Sequence, residues 1–178
     1  MPGLDSQTGR PRFAIALGNT SLTEQRYADV CKYHLVFPYD VLDLCNSETN
    51  SYIVLLTKYD NFMSLDVLEK IANLIQQNPH IGGFYTDSYL KETKQFFPSY
   101  TPGMFDKHSS IINTPLFFKA SLKPKLNPKV QHLCHYDLIR QISQKAPLYH
   151  IAEPLMHSTQ QNNFDFKQEL ALIDKGYT

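Results

Sequence analysis

The stretch YIVLLTKYDNFMSLDVLEKIANLIQQNPHIGGFYTD, residues 52–87, predicts a strand, a helix and a second strand in succession. Residues 52–56 form an unbroken apolar run of strand length, which is typical of a strand covered on both faces in a parallel sheet. Ser64 is placed to cap a helix with apolar residues at helical spacing, and Pro79 ends that helix. A second apolar run, 81–85, follows at once. This order predicts a β-α-β unit of an α/β sheet.

Two acidic side chains come directly after these predicted strands. Asp60 follows the first strand and Asp87 follows the second. In open α/β sheets, ligands bind outside the carboxyl ends of the strands. The sequence therefore predicts a ligand site that includes Asp60 and Asp87 at one edge of the sheet.

The composition favours one folded domain without a global charge. A chain of 178 residues is long enough for one domain with a core and too short for two full domains. Lys plus Arg equal Asp plus Glu at 17 each, so the net charge does not support binding to nucleic acid or to an anionic membrane. No apolar run approaches the ~20 residues that a membrane-spanning helix needs.

Cysteine usage and the first residues favour a cytoplasmic location. Cys31, Cys45 and Cys134 are odd in number, widely spaced and in no metal-ligand pattern, which favours reduced thiols. The first residues include Asp5 and Arg10 and do not resemble a signal peptide. We therefore expect a cytoplasmic protein with no membrane span.

The chain divides into a short leader and one α/β domain. Residues 1–11 are polar and rich in Gly and Pro, and we expect a flexible leader there, followed by a single domain over residues 12–178. The elements predicted before residue 52 are a strand at 13–17, a helix at about 21–32, a strand at 34–37 and a helix at about 41–46. This alternation predicts a Rossmann-like, mostly parallel central sheet flanked by helices.

The pattern changes after Asp87. Residues 88–114 hold many aromatic and proline residues without a clean period, which predicts a long ordered loop, and loops of this length are commonly functional. We call its aromatic part, residues 96–105, the aromatic loop; its rings fit either packing of the loop or stacking on a sugar or nucleobase. The elements predicted after it are a strand at 115–119, a helix at 136–143, a strand at 147–151 and a helix at 164–174.

A group of basic residues surrounds the predicted turn after residue 119. Lys119, Lys123, Lys125 and Lys129 fit a solvated lysine-rich turn, and they also fit a role in steering phosphates. Arg140, on the helix that follows, fits a surface position or a contact with a carboxylate or phosphate. Both interpretations of this group are open.

Several motifs occur in an order that is typical of one enzyme family. They are a strand with a following acid at 55–60, Tyr85-Thr86-Asp87, the aromatic loop, the strand at 115–119, His135-Tyr136-Asp137-Leu138 and the segment HIAEPLMH at 150–157. In this order and spacing, residues 52–157 resemble the later two thirds of a family 2 glycosyltransferase domain. The resemblance implies a single GT-A-type domain that transfers a sugar from a nucleotide-sugar donor to a hydroxyl acceptor.

The chain departs from the family pattern in three places. Thr57 and Tyr59 stand where the DxD-type motif has acids, which leaves Asp60. His135 stands where the catalytic base of the family usually lies. An early strand and its donor-binding loop have no counterpart before Phe13. A second interpretation therefore stays open, in which the chain is a catalytically inactive module that binds a ligand or serves in an assembly.

The resemblance also implies roles for single residues. Asp60 and His157 would hold Mn²⁺ or Mg²⁺ against the donor diphosphate, and Asp60 and Asp87 would bind the donor. His135 or Asp137 would accept the proton of the acceptor hydroxyl. Each residue also has a structural interpretation, with Asp60 and Asp87 as turn acids and Asp137 as a first-turn acid that favours the helix dipole.

The expected partners follow from the same resemblance. They are a nucleotide-sugar donor and an unknown hydroxyl acceptor. A modified base in DNA is a further acceptor class, which the zero net charge does not support. The missing early elements leave room for a partner chain or a second copy that completes the site.

Overall fold

The computed structural model describes residues 12–17, 34–36, 51–57, 59–64, 66–127, 129–159 and 166–176. In these segments the chain forms one eight-stranded sheet and three α-helices. The strands are β1 (Arg12–Leu17), β2 (His34–Val36), β3 (Ser51–Leu56), β4 (Asp60–Phe62), β5 (Gly83–Leu90), β6 (Thr93–Gln95), β7 (Leu116–Lys119) and β8 (Leu148–Ser158). The helices are α1 (Val67–Gln77), α2 (Cys134–Ser143) and α3 (Lys167–Asp174), with 3-10 turns at His108–Ser110 and Ala120–Leu122.

The sheet is mixed, with the strand order β2-β1-β3-β7-β5-β8-β4 and with β6 beside β5. Three neighbouring pairs are parallel, namely β1 with β2, β1 with β3, and β5 with β8. Four are antiparallel, namely β3 with β7, β4 with β8, β5 with β6, and β5 with β7. The predicted Rossmann-like, mostly parallel sheet flanked by helices is therefore wrong. The physical reason is that β7 enters between β3 and β5 in the opposite direction, and an apolar run has the same pattern whichever way its strand points.

The strongest periodic patterns in the sequence are confirmed as elements. The stretch 52–87 contains β3, α1 and the first part of β5, and α1 ends where the side chain of Asn78 donates to the carbonyl of Leu74 at 2.9 Å. The strands expected at 13–17, 34–37, 115–119 and 147–151 correspond to β1, β2, β7 and the start of β8. The leader at 1–11 and the helices predicted at 21–32 and 41–46 lie outside the described residues.

Two predicted loops contain strands. The turn predicted around Asp60 contains β4, which pairs with the far end of β8, and β8 itself continues to Ser158, beyond the strand predicted at 147–151. The start of the predicted loop at 88–114 belongs to β5 and β6. The irregular segment that covers the sheet therefore begins after Gln95.

Strand β3 shows how the sheet divides the core. Tyr52, Val54 and Leu56 belong to the buried cluster that contains the apolar face of α1, which consists of Val67, Leu68, Ile71 and Ile75. Ile53 and Leu55 belong to the other cluster, together with apolar residues of α2, α3 and the aromatic loop. Because successive strand residues point to opposite faces, the two clusters lie on opposite sides of the sheet. We call the second side the α2 face.

None of the helices in the described segments has both the length and the apolar composition that crossing a membrane requires.

Candidate functional site

A buried carboxylate and a buried imidazole meet beyond the carboxyl end of β3. The Oδ2 atom of Asp60 accepts hydrogen bonds from the backbone N–H and the hydroxyl of Thr57, at 2.8 and 2.6 Å. His135, in the first turn of α2, places Nε2 at 3.0 Å from the carbonyl oxygen of Leu55 and 3.6 Å from Asp60 Oδ2. A carbonyl oxygen only accepts, so Nε2 carries a hydrogen and Nδ1 is the nitrogen that can take up a proton. We call these residues the Asp60–His135 pair.

A second pair of the same kind lies on β5 and β8. His150 Nε2 is 2.8 Å from Asp87 Oδ1, and the backbone N–H of Phe97 donates to the same oxygen at 2.9 Å. The ring of Tyr85 stacks on the imidazole with its centroid at 4.9 Å, and the Tyr85 hydroxyl donates to the carbonyl of Pro98 at 2.6 Å. The carboxylate thereby fixes the orientation of the imidazole, and Nδ1 is again the nitrogen open to a proton. We call these residues the Asp87–His150 pair.

The two pairs lie at the same end and on the same face of the sheet. Val54 of β3 and Phe84 of β5 both oppose Phe117 of the intervening β7, so these two strands are level with each other. Leu55 and Tyr85, the next residues along, both belong to the cluster of the α2 face. Neighbouring strands are ~4.8 Å apart, which separates β3 from β5 by about 10 Å. The two pairs therefore lie near the same end of strands that are separated by the single strand β7.

The other predicted site residues lie elsewhere. Asp137 Oδ2 accepts a hydrogen bond from Gln141 at 3.0 Å, and Asp137 lines a separate cavity. His135 and Asp137 therefore do not belong to the same site. His157 has Nε2 at 2.9 Å from the carbonyl oxygen of Lys91. The structure thus brings Asp60 to His135 and leaves Asp137 and His157 apart from them.

The predicted metal ligands do not face one another. In the β4–β8 ladder Asp60 opposes Ser158, while His157 opposes Asn61. Directly opposed residues share a face and adjacent residues alternate, so the side chains of Asp60 and His157 point to opposite faces. Among the residues that the structure describes, no group of three or more His, Cys, Asp and Glu side chains is arranged to hold a metal ion. The residues that the sequence predicted for Mn²⁺ or Mg²⁺ therefore do not fit such a site.

His150 is the functional candidate that sequence reasoning missed. It lies in the motif at 150–157, but its partner Asp87 is 63 positions away. Their contact depends on the parallel register between β5 and β8, in which Tyr85 opposes His150. A histidine on a short apolar strand gives no local signal of that contact.

Both pairs are shielded from solvent. The side chains of Asp60 and His135 are 5% and 4% exposed, and those of Asp87 and His150 are 3% and 5% exposed. The aromatic loop covers the second pair through the contacts of its residues 97 and 98. A ligand therefore reaches the Asp87–His150 pair only when the aromatic loop shifts.

Most rings of the aromatic loop pack against the protein. Phe105 is fully buried, and Phe97 and Tyr100 pack against the core of the α2 face. Phe96 is different, since 70% of it is exposed and the Lys94 ammonium lies 4.6 Å from its ring centroid. Of the rings in the loop, Phe96 is thus the one that presents an open surface for stacking.

Cys134 adjoins the Asp60–His135 pair and reports on its charge. Burial raises the pKa of the Cys134 thiol to about 12, and the nearby carboxylate of Asp60 contributes to the rise. Cys134 is not part of a disulfide in the described part of the chain. A thiol in this setting reacts slowly because the thiolate is the reactive form.

Alkylation of Cys134 tests this environment. In a Cys31→Ser, Cys45→Ser background, we expect the thiolate of native Cys134 at about pH 8 to be about a thousandfold less populated than in the unfolded chain, given a pKa of about 12 against 9.0. Mass spectrometry after iodoacetamide treatment, with and without urea, measures the two rates. Asp60→Asn should speed the native reaction, and Asp174→Asn should not. Equal rates in the native and unfolded protein would contradict the structure.

Comparisons with known proteins leave the family open. No protein-family model matches the sequence. No curated protein matches it either. Among solved structures, the "Crystal Structure of A197 from STIV" resembles the chain with a TM-score of 0.49 and 11% sequence identity, over 88% of this chain and 98% of that chain. A similarity of this size carries no argument about function, which has to rest on the site.

Proposed function

We propose that this protein transfers a sugar from a nucleotide-sugar donor to a hydroxyl acceptor. The observation that carries the proposal is the placement of two carboxylate–imidazole pairs on one sheet face, near the same end of two strands that lie about 10 Å apart. Such transfer needs a base for the acceptor hydroxyl and a group that neutralises the departing diphosphate. The order of motifs that resembles family 2 glycosyltransferases supports the same assignment.

The Asp87–His150 pair provides the base in this proposal. The imidazole Nδ1 takes the hydroxyl proton of the acceptor as the acceptor oxygen bonds to the anomeric carbon of the sugar. The bond between that carbon and the diphosphate oxygen breaks, and its electron pair leaves with the nucleoside diphosphate. Asp87, already bonded to the opposite ring nitrogen at 2.8 Å, stabilises the imidazolium that results.

The Asp60–His135 pair faces the leaving group. When protonated, His135 presents positive charge and a donor at the carboxyl end of β3, where the diphosphate would lie. Asp60 Oδ2 lies 3.6 Å from that imidazole, and Thr57 holds the carboxylate in place through two hydrogen bonds. No step of this scheme passes through a metal ion.

The aromatic loop controls access in this proposal. The bonds from residues 97 and 98 to Asp87 and Tyr85 have to lengthen before a substrate reaches His150. Phe96, exposed beside this segment, offers a ring face for a sugar or nucleobase.

The free thiol of Cys134 suits a reducing, cytoplasm-like compartment for the protein.

One observation favours a second function, a binding module without turnover. All four side chains of the two pairs are nearly fully buried and are bonded within the chain. In that case the pairs stabilise the sheet edge and the exposed Phe96 contributes to ligand binding. Release of nucleoside diphosphate separates the two functions, because a binding module does not catalyse it.

A panel of UDP-, GDP- and CDP-sugars, each with and without Mn²⁺, tests the proposal. At a donor concentration 100-fold above Kd, binding stabilises the native state by about 2.7 kcal/mol, which raises Tm by roughly 5–10 °C in a chain of this size. We expect one nucleotide class to give this shift and to release its nucleoside diphosphate, since water can replace the unknown acceptor. The free nucleosides serve as controls. A panel in which no donor changes Tm or breaks down would contradict sugar transfer.

A further inference from the structure

A separate basic cavity lies along the face of α2 that carries Asp137, Arg140, Gln141 and Gln144. Its volume is about 330 Å³. The charged residues that line it are Lys123, Lys125, Asp137, Arg140, Lys145 and Asp174. We infer that this cavity binds the phosphate group of a small phosphorylated molecule.

Arg140 gives the first reason. Its Nη1 donates to the carbonyl of Ile173 at 3.1 Å, and its Nη2 lies 3.6 Å from Asp174 Oδ1. Its Nε is buried and has no hydrogen-bond partner in the part of the chain that the structure describes. A buried N–H without a partner costs about 1–3 kcal/mol, and an anionic ligand at this position would remove that cost. The guanidinium is also the group that best matches the geometry of phosphate oxygens.

Lys145 gives the second reason. Its ammonium donates to the carbonyls of Leu122 and Lys123, at 2.6 and 3.1 Å. An ammonium has three N–H donors, so these two bonds hold the group in place and leave one donor for a ligand. Lys123 itself is exposed and has a left-handed backbone with φ of 44° directly after the 3-10 turn. The ammonium of Lys145 is therefore held beside the backbone of Lys123 in the lining of the cavity.

The carboxylates of the cavity do not cancel this charge. Asp174 is shared between Arg140 and His108, whose Nε2 lies at 3.0 Å, and Asp137 accepts from Gln141 at 3.0 Å. The four cationic side chains outnumber the two carboxylates, which leaves a formal charge of +2 around the cavity. A phosphate monoester, with about two negative charges near neutral pH, complements this surplus. A neutral sugar or a cation does not.

The cavity is distinct from the proposed sugar-transfer site. His135 lies in the first turn of α2, whereas Arg140 lies in its last turn and Lys145 lies beyond it. Asp137, Arg140, Gln141 and Gln144 line the cavity from one face of α2, whereas His135 is about 200° around the helix axis from Asp137 and therefore lies on another face. The sequence allowed two interpretations of the lysines after residue 119, a solvated turn or a role in steering phosphates. Lys123 and Lys125 line the cavity, so the inference gives these two the phosphate role.

Calorimetric titration with inorganic phosphate and with pyrophosphate tests the inference. Ionic strength is held at about 0.15 M with KCl so that general screening stays constant. We expect binding with Kd of about 1 mM or tighter, and Lys123→Ala with Lys125→Ala should weaken it by about tenfold or more. The backbone bonds of Lys125 to the Gln141 side chain, at 2.8 Å each, persist in that variant and preserve the local fold. Uridine, which has no phosphate, should not bind at the cavity.

The matched control replaces two exposed lysines outside the cavity, Lys107→Ala with Lys129→Ala. It lowers the net charge by the same amount and should leave the affinity unchanged. Arg140→Lys keeps the charge but removes Nε and the planar donor set, so it should also weaken binding. Equal affinity in the cavity variant and the native protein, equal losses in cavity and control variants, or no binding at about 10 times that concentration would overturn the inference. The measurement involves no sugar donor, so its outcome is independent of the proposed transfer reaction.

Discussion

His150→Gln is expected to lower the rate of sugar transfer by about 10²–10⁴-fold while the protein stays folded. The glutamine amide can still donate to Asp87 Oδ1, which the imidazole contacts at 2.8 Å, but it has no nitrogen that accepts a proton at neutral pH. The loss should fall on kcat more than on KM, because the base acts in the transition state. Release of nucleoside diphosphate measures the rate, and circular dichroism and Tm verify the fold.

His157→Gln is the matched control for this prediction. His157 lies on the same strand, β8, and bonds to the carbonyl of Lys91 at 2.9 Å, away from both acid–histidine pairs. We expect its replacement to leave the rate nearly unchanged. An equal loss in both variants would contradict the assignment of His150 and would restore His157 to the role that the family resemblance gave it.

His135→Asn distinguishes the two imidazoles from each other. Asparagine can donate to the carbonyl of Leu55, as Nε2 does at 3.0 Å, but it cannot carry a charge towards a diphosphate. A full loss in this variant, together with an unaffected His150→Gln protein, would show that the base lies at His135, as the resemblance implied. Losses in both variants agree with the proposed division of roles.

The local elements could be predicted because their signals are local. The apolar runs of β3 and β5 and the helical spacing of α1 depend only on neighbouring residues, and all three are present. The same patterns place Asp60 beyond β3 and Asp87 towards the end of β5. The direction of β7 was not predictable in this way, because burial of Phe117 and Phe118 on opposite faces satisfies either direction equally well.

The contacts of the site depend on register, which a single sequence does not reveal. Asp60 opposes Ser158 and not His157, and a shift of one position along β8 moves a side chain to the other face of the sheet. The side chains of Asp60 and His157 are therefore not in contact. The pairing of β8 with β5 also shifts after Thr86, where the partner changes from Ile151 to Pro154. That irregularity changes which residues of β8 face the α2 side, so the alternation of the sequence does not continue through it.

Glu169 explains how α2 begins without a capping side chain of its own. From α3, its carboxylate accepts hydrogen bonds from the backbone N–H groups of Gln131, His132 and Leu133 and from the His132 ring, at 2.8–3.2 Å. Burial alone would raise the pKa of the Glu169 carboxyl, but the bonds from the His132 ring and the three backbone groups outweigh it and lower the pKa below its ordinary value. A negative charge at the start of a helix is further stabilised by the helix dipole.

Glu169→Gln is therefore expected to destabilise the protein by about 2–4 kcal/mol at neutral pH, since hydrogen bonds to a charged group contribute ~1.5–3 kcal/mol each and the amide replaces only part of them. The stabilisation is present above the unfolded pKa of 4.5 and is lost as the pH falls through the lower folded pKa. The difference in unfolding free energy between the native protein and the variant should thus shrink as the pH drops below about 4. Urea unfolding followed by circular dichroism over this range measures the difference.

Glu153→Gln separates the capping effect from the change in net charge. Glu153 pairs with Lys70, and both side chains are nearly half exposed, so this pair contributes only ~0–1 kcal/mol. Both variants remove one negative charge, but only Glu169→Gln removes the anion that joins α3 to the first turn of α2. Because that turn carries His135, a large loss of stability at Glu169 would also displace the Asp60–His135 pair and speed the alkylation of Cys134. Equal stability losses in the two variants would show that Glu169 does not hold this end of α2.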